Sequence, residues 1–578
     1  MIKLYSKSAA TFRISLLPNP IHRSMKRYFQ LCLLLVTSGA ASYASQPNVI
    51  FVMLNDFGYS QLETYSKGLT IDDLDPALVE HVALRGEYTP EQAFEAVRKA
   101  SPTLSRLANE GARFNNAYAS SNLCAPARLS VATGVLQNRW GVYRNIDTEA
   151  HGLKANSHLA EQLHALGYST AHIGKWHVGS RNYEMVPNYL KAAGVEDPET
   201  VKVNDSWNAT YYKNKNHQHV SKKLKVEGFE GSVAPKDHPL NNGFDYYFGY
   251  NQWESPFYNA TNVWRNFEHA GLIKDYNTDV FTAEALNFIE NSLDAAKPFY
   301  VQLHYHTVHS PLKPKAPDDY QKPFDSGARI LDNFYAHVYA VDQNVQRLLN
   351  YLEERGEADN TIVVFTSDNG GSVGNLSCLP GNAPYRGHKG MLLLGGFRVP
   401  LFFHWPRGIK KPQQLSQLVS TMDIIPTLIA AAGGKVPTDI DGKSLLPQVT
   451  TGSTEPVRDY FAVGGIHARV WGFHGASSFF THNVSREKAP AGYIVADNRY
   501  ILRYVGPIIP DLYKDAVEGL PESFEIYDYI NDPMEQNNLI HQLPEKADQL
   551  KAIWKKESAS FPEPVKWDFS KWKMMMQQ

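Results

Sequence analysis

Asn48-Val-Ile-Phe-Val-Met-Leu54 decides the fold class. From Val49 onward every position is apolar, without the polar–apolar alternation of a strand that is wet on one face. A run that can be buried on both faces predicts a central strand of a parallel sheet. The same grammar returns further along the chain. Ser101, Pro102 and the stripe Leu104, Leu107, Ala108 predict a capped helix that Gly111 stops, and Arg113 to Ala119 resumes as a strand. Leu159, Leu163 and Leu166 form a second helical stripe ended by Gly167, followed by a strand over Tyr168 to Ile173. Pro298 to His304 reads as a strand. Val338, Val341, Val345, Leu348, Leu349 and Leu352 then share one face of a long helix that stops at Gly356, before a strand over Thr361 to Phe365. Helices alternating with apolar strands predict an α/β fold with a large, mostly parallel sheet sandwiched by helices.

The alternation fades near residue 450. A strand over Tyr500 to Tyr504 and a helix over Pro544 to Lys556 predict a smaller C-terminal α+β domain at 451–578, following a main α/β domain at 45–450. Residues 63–98 and 184–240 are polar and charge-rich and read as irregular insertions that shape the rim. Ahead of the main domain, Met25-Lys26-Arg27, the apolar run Leu31 to Val36 and Ser42-Tyr43-Ala44 have the order of a secretory signal cleaved after Ala44. Residues 1–44 are therefore an N-terminal extension and signal peptide, and a periplasmic or secreted location follows. No later stretch has the length of a membrane span.

Of 578 residues 43% are hydrophobic and 20% charged, ordinary values for a globular chain. A formal net charge of -2 gives no basis for nucleic-acid binding. Cys32 leaves with the signal, so Cys124 and Cys378 remain. Either these two pair, or at least one has a chemical purpose.

In an open parallel sheet, ligands bind outside the carboxyl ends of the strands. Asn55-Asp56 follows the first strand and Cys124-Ala-Pro-Ala-Arg128 follows Ala119. Gly174-Lys175-Trp-His177 comes after Ile173, His306 and His309 after His304, and Asp368-Asn369-Gly-Gly after Phe365. Each cluster alone is compatible with a cap or a turn. Five of them on one edge describe a site. Asn55, Asp56, Asp368 and Asn369 form an oxygen-rich set suited to a hard cation such as Ca²⁺. Pro126 suits the first turn of a helix whose N-terminus favours an anion, with Arg128 on the same face as Cys124.

Cys124-Ala-Pro-Ala-Arg128 with the following Leu-Ser-Val-Ala-Thr-Gly134 resembles the signature of the type I sulfatases, within the alkaline phosphatase superfamily. Gly174-Lys-Trp-His-Val-Gly179, Thr366 to Gly371, Arg386-Gly-His-Lys389-Gly, Gly395-Gly-Phe-Arg-Val-Pro400 and Tyr527-Asp-Tyr-Ile-Asn-Asp-Pro533 extend the likeness, in order, over nearly the whole mature chain. The resemblance implies a sulfuric ester hydrolase acting on sulfated polysaccharide or oligosaccharide. It implies that a formylglycine-generating or radical maturation enzyme converts Cys124 to 3-oxoalanine (formylglycine), whose hydrate is the nucleophile. Asn55, Asp56, Cys124, Asp368 and Asn369 would bind one Ca²⁺. Lys175, Lys389 and His309 would hold the sulfate, His309 or Lys389 would protonate the leaving oxygen, His177 would deprotonate the diol, and Arg128 would brace it.

Two positions depart from the family pattern. Asn55 stands where paired Asp is usual, which removes one negative charge from the cation set, and Leu394 stands where Glu often precedes Gly-Gly. Two other readings stay open on the residues alone: a phosphatase or phosphonate monoester hydrolase of the same superfamily, and a non-catalytic binder of sulfated glycan. His304 reads as a packed core histidine, His238 and His388 as rim residues within reach of substrate, and Cys378 as an inert thiol. The particular sugar and the oligomeric state leave no mark in the sequence.

Overall fold

The computed structural model describes residues 46–145, 147–154, 157–192, 224–372, 378–465, 492–506 and 522–562. The signal segment, with Cys32, lies outside the described residues. In chain order the strands are β1 (Asn48–Leu54), β2 (Ala112–Phe114), β3 (Ala117–Tyr118), β4 (Ser169–Lys175), β5 (Tyr246–Tyr250), β6 (Trp264–Arg265), β7 (Glu268–His269), β8 (Phe299–His304), β9 (Thr361–Ser367), β10 (Leu401–His404), β11 (Gln413–Leu415), β12 (Val419–Ser420), β13 (Phe461–Gly465), β14 (Gly492–Ala496), β15 (Tyr500–Val505) and β16 (Ser523–Asp528).

Ten of these form one sheet in the order β11-β2-β10-β9-β1-β8-β4-β5-β6-β7. The inner strands β9, β1, β8, β4 and β5 all run parallel, and β10 pairs antiparallel outside β9. Val49 to Leu54 are at most 1% exposed, as a strand covered on both faces requires. Successive side chains enter different cores. Ile50, Val52 and Leu54 pack with Val97, Phe281, Ala285 and Val341 from helices Pro90–Ala100, Asn277–Asp294 and Arg329–Glu354. Val49, Phe51 and Met53 pack on the other side with Leu163, Ile425 and Leu428. Each such side chain contributes roughly 1.5–3 kcal/mol on burial. The sheet is therefore a rigid shelf, and its register sets what leaves its edge. Leu54 lies opposite Ser367 across β1 and β9, so Asn55 and Asp368 emerge side by side.

Three local expectations are corrected. Residues 63–98 are not irregular: helices Pro76–Arg85 and Pro90–Ala100 bury Leu78, Val82, Ala93 and Val97 in the main core. Their charges form the outer faces and hide the apolar spacing within. Arg113 to Ala119 is not one strand. Asn115-Asn116 separates β2, which lies between β11 and β10 in the main sheet, from β3, which forms a two-stranded ribbon with β12 and a bridge from Tyr118 to Arg398, so the Cys124 loop leaves that ribbon rather than the central sheet. Ser101 does not cap its helix; its hydroxyl accepts from the Glu63 amide, while the Asp342 carboxylate of the long helix accepts from Leu104 N–H at 2.8 Å.

Toward the C-terminus β13-β14-β15-β16 form an antiparallel sheet. Helix Pro544–Ser558 lays Ala547 and Leu550 onto its Val495, Leu502 and Ile526. No helix among the described residues is long and apolar enough to cross a membrane.

Candidate active site

The carboxyl edge of β1, β9, β4 and β8 brings the sequence-predicted residues together. Cys124 opens helix Cys124–Thr133, is fully buried, and has Sγ 3.8 Å from Asp56 Oδ1. The Ala125 N–H in the same first turn donates to Asn145 Oδ1 at 3.1 Å, so the helix start is held by a side chain from the segment that follows the helix. Asp56 has a left-handed φ of 61° and His177 one of 52°, each an unfavourable conformation for a residue with a Cβ. Strain of about 1–3 kcal/mol per residue persists where the surroundings over-determine it, which is common at functional sites.

Asp56 is the hub of one half. Lys389 Nζ lies 2.7 Å from its Oδ1 and 2.8 Å from its Oδ2, Asn369 Nδ2 donates to Oδ1 at 2.9 Å, and His309 Nε2 is 3.7 Å from Oδ2. Asp368 is held separately: Oδ1 accepts from the Asp56 amide at 3.1 Å, and Oδ2 receives Arg128 Nε at 3.0 Å and Nη2 at 2.9 Å. Arg128 Nη1 reaches the Lys175 carbonyl at 2.9 Å and His304 Nδ1 at 3.2 Å. The contacts of Arg128 thus fall on Asp368 and the β4–β8 strand ends rather than on the Cys124 side chain.

Lys175, the last residue of β4, is fully buried and donates from Nζ to the Trp253 carbonyl at 2.7 Å. Gly174 allows that placement: its φ is +100°, and a Cβ there would sit 2.0 Å from the His304 carbonyl oxygen of β8. His177 and His309, at 8% and 9% exposure, are the most open members of a site whose other predicted residues are at most 4% exposed. The open side is therefore lined by imidazoles.

Burial dominates the electrostatics. It pulls Lys175 down to about 8, with Arg128 and Lys389 adding repulsion against the partial offset of Cys124 and Asp368. It pushes the Cys124 thiol up, against the pull of Lys175 and Lys389. Burial also holds His177 and His309 well below the usual imidazole range, reinforced by Lys175, Lys389 and Arg128. Lys389 is raised in spite of burial because Asp56 stands against it.

The oxygen-rich set fits a hard cation. Asn55 Oδ1 and Nδ2 and Asn369 Oδ1 are buried without a hydrogen-bond partner, an arrangement that costs about 1–3 kcal/mol per group unless a ligand meets it. Asp56, Cys124 and His309 also present ligand-type atoms within 4.8 Å of one another. Oxygen donors of this kind suit calcium, and an ammonium already stands against the Asp56 carboxylate.

The remaining histidines divide. His304 is packed edge-on against Phe51 and His172, as expected, yet it also supports Arg128. His238 is held internally by Asn266 O and Leu240 N–H and stacks on Phe267. His388 is buried, with Nδ1 at 2.8 Å from the Lys389 carbonyl oxygen. Cys124 and Cys378 are both free thiols. Sequence reasoning missed β5 and hence the Asn251–Glu254 loop that receives Lys175; the aromatic run Tyr246-Tyr-Phe-Gly-Tyr250 was the available signal.

The family model described as Sulfatase matches residues 47–434. The chain is 34% identical over 410 residues to the "Uncharacterized sulfatase YdeN" of Escherichia coli (strain K12), covering 70% of this chain and 66% of that protein. It is 26% identical over 545 residues to N-acetylgalactosamine-6-sulfatase of Mus musculus, covering 86% and 87%. Among solved structures, Ps i-CgsB in complex with k-i-k-neocarrahexaose shares the fold, with a TM-score of 0.63 at 20% identity over 90% of this chain and 94% of that one. The chain therefore belongs to the sulfatase family and is a sulfuric ester hydrolase.

Proposed function

We propose that this protein removes sulfate from sulfated polysaccharide or oligosaccharide, using a formylglycine hydrate made from Cys124 and one Ca²⁺. The observation that carries the reading is the setting of Cys124: a fully buried side chain at the start of a helix, 3.8 Å from Asp56. The carbohydrate class is supported by relatives, one named for N-acetylgalactosamine sulfate and one solved with a neocarrahexaose. A maturation enzyme would act on Cys124 during export to the periplasm or the outside. Residues 451–578 are proposed as a second, smaller domain.

Asn55, Asp56, Asp368 and Asn369, with the modified Cys124, would hold the cation. When bound, the two groups supply an attacking oxygen, a second hydroxyl through which sulfate leaves, and positive charge for the sulfuryl oxygens. The chain's own residues do the rest. Lys175 and Lys389 receive sulfuryl oxygens as ammonium donors. Arg128 pins Asp368 through two nitrogens and so holds that carboxylate in place. His309 keeps Nδ1 on the Ser310 carbonyl, 2.7 Å away, and turns Nε2 toward the site to serve the leaving oxygen. Burial first, and Lys389 and Lys175 after it, hold this imidazole below its usual range, and a bound anionic ester would offset the lysines' share. His177 Nδ1, buried without a hydrogen-bond partner, is assigned the proton that must be taken up when sulfate departs.

The test is a desulfation screen over defined sulfated oligosaccharides, with an aryl sulfate and an aryl phosphate alongside, using enzyme co-expressed with a maturation factor. Release of sulfate from oligosaccharides and preference for the aryl sulfate are expected. Preference for the phosphate, or binding without turnover, would overturn the reading.

A further inference from the structure

The C-terminal antiparallel sheet packs Phe461, Val463, Ile494, Ile501 and Tyr527 against Leu392, Leu394 and Phe397 of the catalytic loops, and adds one buried carboxylate. Glu535, in the segment after β16, is 1% exposed and has a left-handed φ of 53°. Its two oxygens have different partners. Oε1 meets Arg503 Nη1 of β15 at 2.7 Å, while Oε2 accepts the Leu394 N–H at 2.9 Å. Arg503 has a further partner, because its Nε reaches Glu525 at 2.8 Å. The sheet's apolar residues pack on the Leu394 side chain, whereas Glu535 is what accepts from its backbone N–H.

Leu394 begins the single turn Leu394–Phe397. From that turn Gly395 N–H donates to the Arg386 carbonyl at 2.8 Å, and the Gly396 carbonyl accepts from Gly370 N–H at 3.0 Å. The neighbouring Lys389 N–H donates to the Gly371 carbonyl at 3.0 Å, and Gly390 N–H to the Asn122 carbonyl at 2.9 Å. These segments lie backbone on backbone. A Cβ on Gly370 would come within 1.8 Å of the Gly395 carbonyl oxygen. With no side chain between them to absorb a shift, movement at Leu394 passes to Asn369-Gly370 on one side and to Lys389 on the other.

We propose that Glu535 is a positioning residue for the active site, holding the Leu394 turn so that Asn369 and Lys389 stay in place. This rests on the reading that Asn369 serves the cation and Lys389 the sulfate. What positions the site is reach to the amide, not charge.

Two variants separate reach from charge. Glu535→Asp keeps the carboxylate and tolerates the left-handed backbone, but is one methylene short of Leu394. The double variant Glu535→Gln with Arg503→Met removes the Glu535–Arg503 pair, leaves the partly exposed Glu525 to solvent, and frees the Gln carbonyl oxygen to accept from Leu394. The readouts are the calcium concentration giving half-maximal thermal stabilisation, and KM and kcat on an aryl sulfate. Glu535→Asp is expected to raise both the calcium midpoint and KM about tenfold, as for one lost buried hydrogen bond, while the double variant stays within about twofold of the parent. The reverse order, with Asp like the parent and the double variant impaired, overturns the proposal. So does a loss of melting temperature in Glu535→Asp with calcium midpoint and KM unchanged, which would make Glu535 a cement of the C-terminal sheet. A parent enzyme indifferent to calcium would overturn the cation reading instead, and the order of the variants in KM would still decide the loop proposal through Lys389.

Discussion

The two halves of the site are made of opposite chemistry on different strands. The ends of β1 and β9 carry oxygen: Asn55, Asp56, Asp368 and Asn369. The end of β4 and the loop after β8 carry nitrogen: Lys175, His177 and His309. Cys124 lies beside Asp56, and Lys389 crosses from its own loop to the Asp56 carboxylate. A sulfate ester is repelled by the first half and attracted by the second. The oxygen half therefore makes sense as the seat of a cation, and the nitrogen half as the seat of the anion that the cation helps to hold. Breaking either half should leave a different signature.

The largest effect belongs to the position between the halves. Cys124→Ala is expected to lose turnover by a factor on the order of 10⁴ or more while retaining binding of a sulfated oligosaccharide, measured by calorimetry beside a rate assay. Residual turnover near that of the parent would remove Cys124 from the chemistry.

Within the nitrogen half the two histidines should separate. His309→Ala should slow sugar sulfates, whose leaving groups are poor, roughly 10²-fold, and activated aryl sulfates far less. His177→Ala should bring all substrates to one low rate with an initial burst of alcohol, because sulfate release does not depend on the alcohol already gone. Equal dependence on leaving group in both variants would cancel this division.

In the oxygen half the expected effect is smaller. Under the proposed reading Asp56 and Asp368 would give the cation two formal negatives, and Asn55→Asp would add a third. Its calcium midpoint, followed by thermal shift in a calcium titration, should fall roughly threefold to tenfold. An unchanged midpoint would mean that Asn55 does not face the ion.

The last variant tests that the comparison is confined to the site. Asp342, on the long helix away from both halves, is raised to about 6 by burial, against the opposing hydrogen bond from the Leu104 amide. A carboxyl raised in the folded state costs little near pH 4 and below, where the unfolded group too takes up its proton. Stability is then lost as pH climbs through 6. Asp342→Asn keeps the acceptor for Leu104 and should remove that decline, gaining a few degrees of melting temperature over the parent at pH 7 but not at pH 4, with turnover unchanged. Parallel melting curves at both pH values would contradict it.

What was legible in the sequence follows the same physics. Val49 to Leu54 announces itself because burial on both faces leaves no polar residue to disguise it, and the Asn55-Asp56 and Asp368-Asn369 pairs stand directly at strand ends. The helices within 63–98 were hidden because their apolar residues are spaced among charges. The break at Asn115-Asn116 was hidden because β-like residues stand on both sides of it. The support of Leu394 by Glu535 has no local signal, since a carboxylate 141 residues away in the chain supplies it. Likewise the clamp of Arg128 on Asp368 is a long-range contact, while its helical spacing from Cys124 pointed to a different partner.

The central claim, that the buried Cys124 side chain becomes the nucleophile between these halves, is tested most directly by mass spectrometry of the peptide carrying Cys124 from fully active enzyme. The account requires an aldehyde at that position, in a proportion that tracks specific activity across preparations. An intact thiol throughout a fully active preparation would contradict it.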